Sequence, residues 1–193
     1  CEAEINGGTI KATTTDGAST TFAYGIYAAN DYTQIDGGNI VAHGAYKAVG
    51  IYATGLVSSS DVMINDLTMT VTADKNYAYG LYVACAQNSS NTYNAGTIQV
   101  EDGYYTITST SSKAMGIYVG PANGGAEPQM FIYGGKYKLS GSDTDMLSYQ
   151  AATSTDALLI DGGYYNVHVD VAETDKNYFP EDRKSTRLNS SHV

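Results

Sequence analysis

The stretch FAYGIYAAN at residues 22–30 returns three times along the chain, as AVGIYAT at 48–54, AYGLYVA at 78–84 and AMGIYVG at 114–120. One Gly-Ile-Tyr says nothing about architecture. Four versions in succession mark a structural unit that is built again and again. A second motif alternates with the first: an apolar residue, usually an acidic residue or Asn, and usually a Gly pair. It reads INGGTI (5–10), IDGGNI (35–40), INDLTM (64–69), VEDGYY (100–105), IYGGKY (132–137) and IDGGYY (160–165). The leading residues Ile5, Ile35, Ile64, Val100, Ile132 and Ile160 recur with a period of about 30 residues, in the range of solenoids and propellers.

Within each unit the apolar pattern alternates with period two, the signature of strands. After the Gly pair, one column reads Ile10, Ile40, Met69, Tyr105, Tyr137, Tyr165, and the next reads Ala12, Ala42, Val71, Ile107, Leu139, Val167. Strict alternation through the Gly-Ile-Tyr strand puts three columns inward: Tyr24, Val49, Tyr79 and Met115; Ile26, Ile51, Leu81 and Ile117; Ala28, Ala53, Val83 and Val119. A decayed fifth copy is DMLSYQ at 145–150, in which Met146 and Tyr149 take the places of Met115 and Tyr118. Length varies between units where loops fall, as in CAQNSSNTYNAG (85–96) and PANGGAEP (121–128). No unit can close a core alone, whereas a stack of them can. These units are shorter than propeller blades and lack a Trp-Asp signature, so the pattern predicts an all-β solenoid, a parallel β-helix of about six coils with about three short strands per coil.

Composition narrows the function classes. The chain has 193 residues, with Lys+Arg 10 against Asp+Glu 20 and a net charge of −10. Such a chain repels phosphate backbones and anionic lipid, which argues against nucleic acid as a partner. No apolar run is long enough to span a membrane as a helix. Tyr is 18, Phe 3 and Trp 0. Together with abundant Gly, Ser, Thr and Asn, this points to a secreted or surface β protein. Cys1 and Cys85 form neither a metal-ligand spacing nor a disulfide framework, and Cys85 continues the inward parity of Leu81 and Val83.

The C-terminal stretch DRKSTRLNSSH (182–192) holds both arginines of the chain. It resembles the in-frame translation of a sequencing adapter. Residues 182–193 are therefore expected to be a non-native, disordered tail, and residues 1–181 a single solenoid fragment that continues beyond both ends in its natural context.

The repeated IDGG and GIYA elements, spread over residues 3–170, resemble the right-handed parallel β-helix of bacterial surface adhesins, especially autotransporter passenger domains. That resemblance implies export, display on a bacterial cell surface, and an adhesive or structural role rather than catalysis. Some β-helices of the same general kind are pectate lyase-like or polygalacturonase-like enzymes, which is the alternative reading. The lyases of that group use an arginine base, and residues 1–181 contain no Arg. The hydrolases need closely set carboxylates in a cleft. His43 and His168 lie in different units, and the Gly-Ile-Tyr copies lack the Tyr-Ile-Gly partner of a GIY-YIG nuclease.

Two sets of residues are candidates for binding. If Ile26, Ile51, Leu81 and Ile117 point inward, Tyr27, Tyr52, Tyr82 and Tyr118, continued by Tyr149, form an outward line of rings beside a bare strip of Gly25, Gly50, Gly80 and Gly116. Rings with a polar tip suit a glycan or a host-surface protein, and a self-stacked ladder that only stiffens the solenoid is the competing reading. Tyr104 and Tyr164 are expected as separate surface residues. The second set is Asp66, Glu101 and Asp102. Stacking sets Asp66 about 4.8 Å from Asp102, where a Ca²⁺ ion would relieve the repulsion. A solvated turn is the competing reading there, with no cofactor required. Open strand edges at either end predict end-to-end self-association.

Overall fold

A computed structural model gives the arrangement of residues 2–150 and 158–167; the 182–193 tail, His168 and Cys1 lie outside the described residues. Every regular element among these residues is a strand. The first unit contributes β1 (Glu2–Thr14) and β2 (Phe22–Ala28), the second β3 (Asp31–Gly44) and β4 (Lys47–Gly55). The third supplies β5 (Ser60–Ile64), β6 (Thr68–Ala73) and β7 (Ala78–Gln87), and the fourth β8 (Tyr93–Val100), β9 (Tyr104–Ser109) and β10 (Lys113–Val119). The fifth supplies β11 (Gln129–Ile132), β12 (Lys136–Ser140) and β13 (Asp143–Tyr149), and the last β14 (Leu158–Ile160) and β15 (Tyr164–Tyr165).

Each strand pairs in parallel with its counterpart in the neighbouring unit. One ladder runs β3–β5–β8–β11–β14 and keeps Ile35, Ile64, Val100, Ile132 and Ile160 in one row. A second runs β3–β6–β9–β12–β15 and aligns Ile40, Met69, Tyr105, Tyr137 and Tyr165. β1 extends both by pairing along β3, with Ile5 opposite Ile35 and Ile10 opposite Ile40. The third ladder is β2–β4–β7–β10–β13. Antiparallel contacts join the ladders into one mixed fifteen-stranded sheet: Gly55 lies opposite Asn94, and Cys85–Gln87 run back along Tyr93–Ala95. The segment 85–96, expected as a plain loop, is thus partly a two-stranded ribbon.

The rows meet in one buried core. Ile35, Ile64, Ile98, Met69, Val71, Ile107, Ile51, Leu81 and Ile117 are all fully buried in a single cluster drawn from all three ladders. The end unit is less enclosed, and Ile5, Ile10 and Ile26 are only partly buried against it.

The bend between the first two ladders depends on glycine for a second reason besides backbone freedom. Gly103 and Gly163 have φ of 143° and 108°, in the left-handed region. Two residues on, Tyr105 folds back so that its hydroxyl donates to the Asp102 carbonyl at 2.9 Å, and Tyr165 does the same to the Gly162 carbonyl. A Cβ on Gly103 would sit 2.7 Å from the Tyr105 hydroxyl, and one on Gly163 2.6 Å from that of Tyr165. The Gly-x-Tyr spacing therefore makes the turn and leaves space for the ring. Tyr105, Tyr137 and Tyr165 form an inner stack with centroids 4.6 and 5.2 Å apart.

Candidate functional site

The Gly-Ile-Tyr strands carry the most distinctive surface, and its construction departs from strict alternation. Ladder pairs run Val49 to Tyr79 and then Ile51 to Leu81, with the glycines between them outside the regular pairing. At each of these glycines the missing Cβ would point into the core. On Gly25 it would lie 2.4 Å from Ile40, on Gly50 2.3 Å from Met69, and on Gly116 2.6 Å from Met146; on Gly80 it would lie 3.1 Å from Ile107. Glycine and the isoleucine or leucine after it thus both face inward. The alternation slips by one position there, and the residues before and after the pair share the outer face.

Two expectations are corrected by this slip. Gly25, Gly50, Gly80 and Gly116 do not form a bare outer strip. Tyr24, Val49, Tyr79 and Met115 do not join the main core. Val49, Tyr79 and Met115 form a separate buried cluster, against which Phe22, Tyr24, Tyr52, Tyr82 and Tyr118 pack. Val49 is 0% exposed although it lies outside the main core, because the surrounding rings cover it.

Tyr27, Tyr52, Tyr82 and Tyr118 do share one row across β2, β4, β7 and β10. Their successive ring centroids are 5.1, 4.9 and 4.4 Å apart. The planes are turned by 37°, 80° and 52°: Tyr52 and Tyr82 meet edge to face, the other two pairs are tilted, and the row is not a flat platform. Tyr24 reaches Tyr27 and Tyr52 at 5.5 and 5.8 Å, and Tyr79 reaches Tyr82 and Tyr118 at 5.1 and 5.5 Å. The line is therefore a double file. Tyr27 is 49% exposed, whereas Tyr52, Tyr82 and Tyr118 are half-buried among their neighbours. Burial raises the phenol pKa of Tyr79 and Tyr82 well above the ordinary tyrosine value, and the neighbouring Tyr118 phenol adds to it. Tyr24 and Tyr52 shift the same way, again chiefly through burial.

Tyr149 does not continue the line. The fifth copy is displaced by one residue: Ser148 lies opposite Tyr118, and Tyr149 lies opposite Val119 and packs partly buried against the main core. Met146 is fully buried and fills the space that Gly116 leaves. A Met opposite a Gly is volume-compensated, and that complementarity sets the register.

Beyond the file, the Lys47 ammonium lies 5.0 Å from the Phe22 ring centre, 5.7 Å from that of Tyr46 and 5.8 Å from that of Tyr77. The column that holds this cationic corner reads Phe22, Lys47, Tyr77 and Lys113, and its mixture of aromatic and basic residues hides it from a search for like letters. Tyr104 and Tyr164 are exposed, at 55% and 73%, and Lys136 lies over Tyr104 at 4.9 Å.

The acidic set is brought into register without forming a cage. Ile64 lies opposite Val100 and Thr68 opposite Tyr104, so Asp66 and Asp102 occupy matching places in adjacent units. Glu101 accepts a hydrogen bond from the Gln99 amide at 2.8 Å, and Asp102 accepts one from the Gly103 N–H at 2.8 Å. Among the described residues no three or more His, Cys, Asp or Glu side chains are grouped to hold a metal ion. Asp36 has a role that the turn motif does not reveal: it accepts from the Gln34 amide and from Asn65 of the next unit. His43 pairs with Asp74 at 3.0 Å. Cys85 is half-buried, less enclosed than its parity suggests: it keeps Gly55 of β4 as parallel partner, but β10 pairs only as far as Val83 and the antiparallel β8 takes its place; the Cys85 thiol donates to the Ala126 carbonyl at 3.3 Å.

No protein-family model, curated protein or solved structure matches the chain.

Proposed function

We propose that the chain is a stretch of a bacterial surface protein, a right-handed parallel β-helix displayed outside the cell, whose role is adhesive and structural and not catalytic. The observation that carries this reading is the outer aromatic double file, repeated in register through four units that pair in parallel. A repeat that spends its most regular positions on outward-facing tyrosines gives an extended contact surface, and a solenoid is suited to presenting one. Phenol rings combine apolar area with a hydroxyl tip, which fits the mixed apolar and polar surface of a glycan or of a host-surface protein. The chain carries a net charge of −10, so the partner is neutral or basic and is not a nucleic acid. No resident cofactor is needed for such contacts.

The test is binding of the purified chain to a glycan array and to a layer of host-cell surface glycoprotein. Tyr27→Ala combined with Tyr52→Ala removes two adjacent rings. Each ring contributes roughly 0.5–1.5 kcal/mol beyond its area, so the double variant should weaken binding by about fivefold or more. A variant that stays folded and binds as tightly as the parent would show that the file only stiffens the solenoid.

A further inference from the structure

The same file is arranged for a covalent reaction. Oxidative coupling of two phenols needs rings that approach closely, whose relative position is held, and at least one of which is not fully enclosed. Tyr82 on β7 and Tyr118 on β10 face each other across one strand spacing with centroids 4.4 Å apart, the shortest separation of the file. Their planes are tilted by 52°, between a flat stack and an edge-on contact. Both side chains are half-buried, so neither is fully enclosed by the protein. The inner stack makes the contrast: Tyr105 and Tyr137 are 4.6 Å apart but nearly coplanar at 11°, and both are buried in the core. There, the rings lie flat on one another and are closed off from solvent and from an external oxidant.

We propose that Tyr82 and Tyr118 are a site of oxidative tyrosine cross-linking, at which a peroxide acting through a one-electron oxidant joins the two rings as dityrosine. Each phenol loses one electron and its hydroxyl proton to give a phenoxyl radical. The radicals combine by forming one carbon–carbon bond between positions ortho to the oxygens. The hydrogen on each bonded carbon then moves to oxygen, which restores both aromatic rings. The pair has lost two hydrogen atoms in all, and one hydrogen peroxide accepts them and becomes two waters. Strand register holds the rings in place, so coupling within the chain is favoured over encounter between chains. The product ties the third unit to the fourth outside the hydrogen-bonded ladder, and it resists unfolding as a disulfide closing the same loop does.

The experiment exposes the whole chain to a haem peroxidase and hydrogen peroxide, then reads dityrosine fluorescence, monomer and dimer bands, and cross-linked peptides by mass spectrometry. Expected is a fluorescent monomer with a Tyr82–Tyr118 linkage and a yield per chain that does not fall on dilution. Tyr118→Phe keeps the ring packing and should lose that linkage; circular dichroism confirms that the variant is folded. Tyr104→Phe with Tyr164→Phe removes the more exposed tyrosines and should leave the linkage intact. The proposal is overturned if linkages form only between chains, if they join Tyr104 or Tyr164 instead, or if the urea-unfolded chain yields as much of the Tyr82–Tyr118 product as the folded one.

Discussion

Tyr105 and Tyr137 are neighbours in one inner stack, yet removing their hydroxyls should change stability in opposite directions. Tyr137 is 2% exposed, its ring lies between those of Tyr105 and Tyr165, and its hydroxyl has no hydrogen-bond partner among the described residues. The reach-back bond that Tyr105 makes to Asp102 is absent at Tyr137. A buried hydroxyl without a partner costs about 1–3 kcal/mol of desolvation that nothing returns. Tyr137→Phe keeps the ring and the stack and deletes only that atom, so the variant should be more stable than the parent by about 1 kcal/mol or more. Tyr105→Phe deletes a donor with a partner at 2.9 Å. It leaves the Asp102 carbonyl short of that bond and should cost about 0.5–1.5 kcal/mol. The assay is urea denaturation followed by circular dichroism, comparing midpoints at constant slope. If Tyr137→Phe destabilises as much as Tyr105→Phe, the Tyr137 hydroxyl has a partner and the reasoning fails.

The glycine slip is tested by Gly50→Ala. Its Cβ would meet Met69 at 2.3 Å and the Gly80 carbonyl oxygen at 2.7 Å, so overpacking should cost about 1–3 kcal/mol in the same denaturation assay; an outward Gly50 would tolerate the change with little effect. Alkaline pH should also unfold the chain selectively. Burial raises the phenol pKa of Tyr79, Tyr82, Tyr105, Tyr137 and Tyr165, so the folded state holds these protons more tightly than the unfolded chain does. Their contribution is fully present below about pH 10, the unfolded value, and is lost as pH rises from there toward the folded values. The urea midpoint should be level below that pH and fall steeply above it; a midpoint that stays level up to about pH 11.5 would contradict the burial of these phenols.

Much of the fold was legible because the same residue types return at the same places. Ile35, Ile64, Val100, Ile132 and Ile160 had to face a common core, since only burial of a whole row makes an isolated short strand worth forming. The Asp-Gly-Gly bends, the inward Ile and Tyr columns and the row from Tyr27 to Tyr118 follow from the same logic and were readable as letters. Three features were decided only in three dimensions. Gly50 and Ile51 both face inward because a residue without a Cβ lets Met69 of another ladder press against the backbone. That contact flips the parity upstream and carries Tyr24, Val49, Tyr79 and Met115 to the outer face. Alternation cannot reveal it, since a glycine has no side chain whose polarity betrays its direction. Met146 settles opposite Gly116 rather than Met115, and Tyr149 leaves the tyrosine row, because filling that gap in the core outweighs matching the letters of the motif. The ribbon at Cys85–Gln87 and Tyr93–Ala95 has no counterpart in other units among the described residues, so no repeat could announce it. A repeated sequence determines which residues are stacked; the packing between ladders determines which way each stack points.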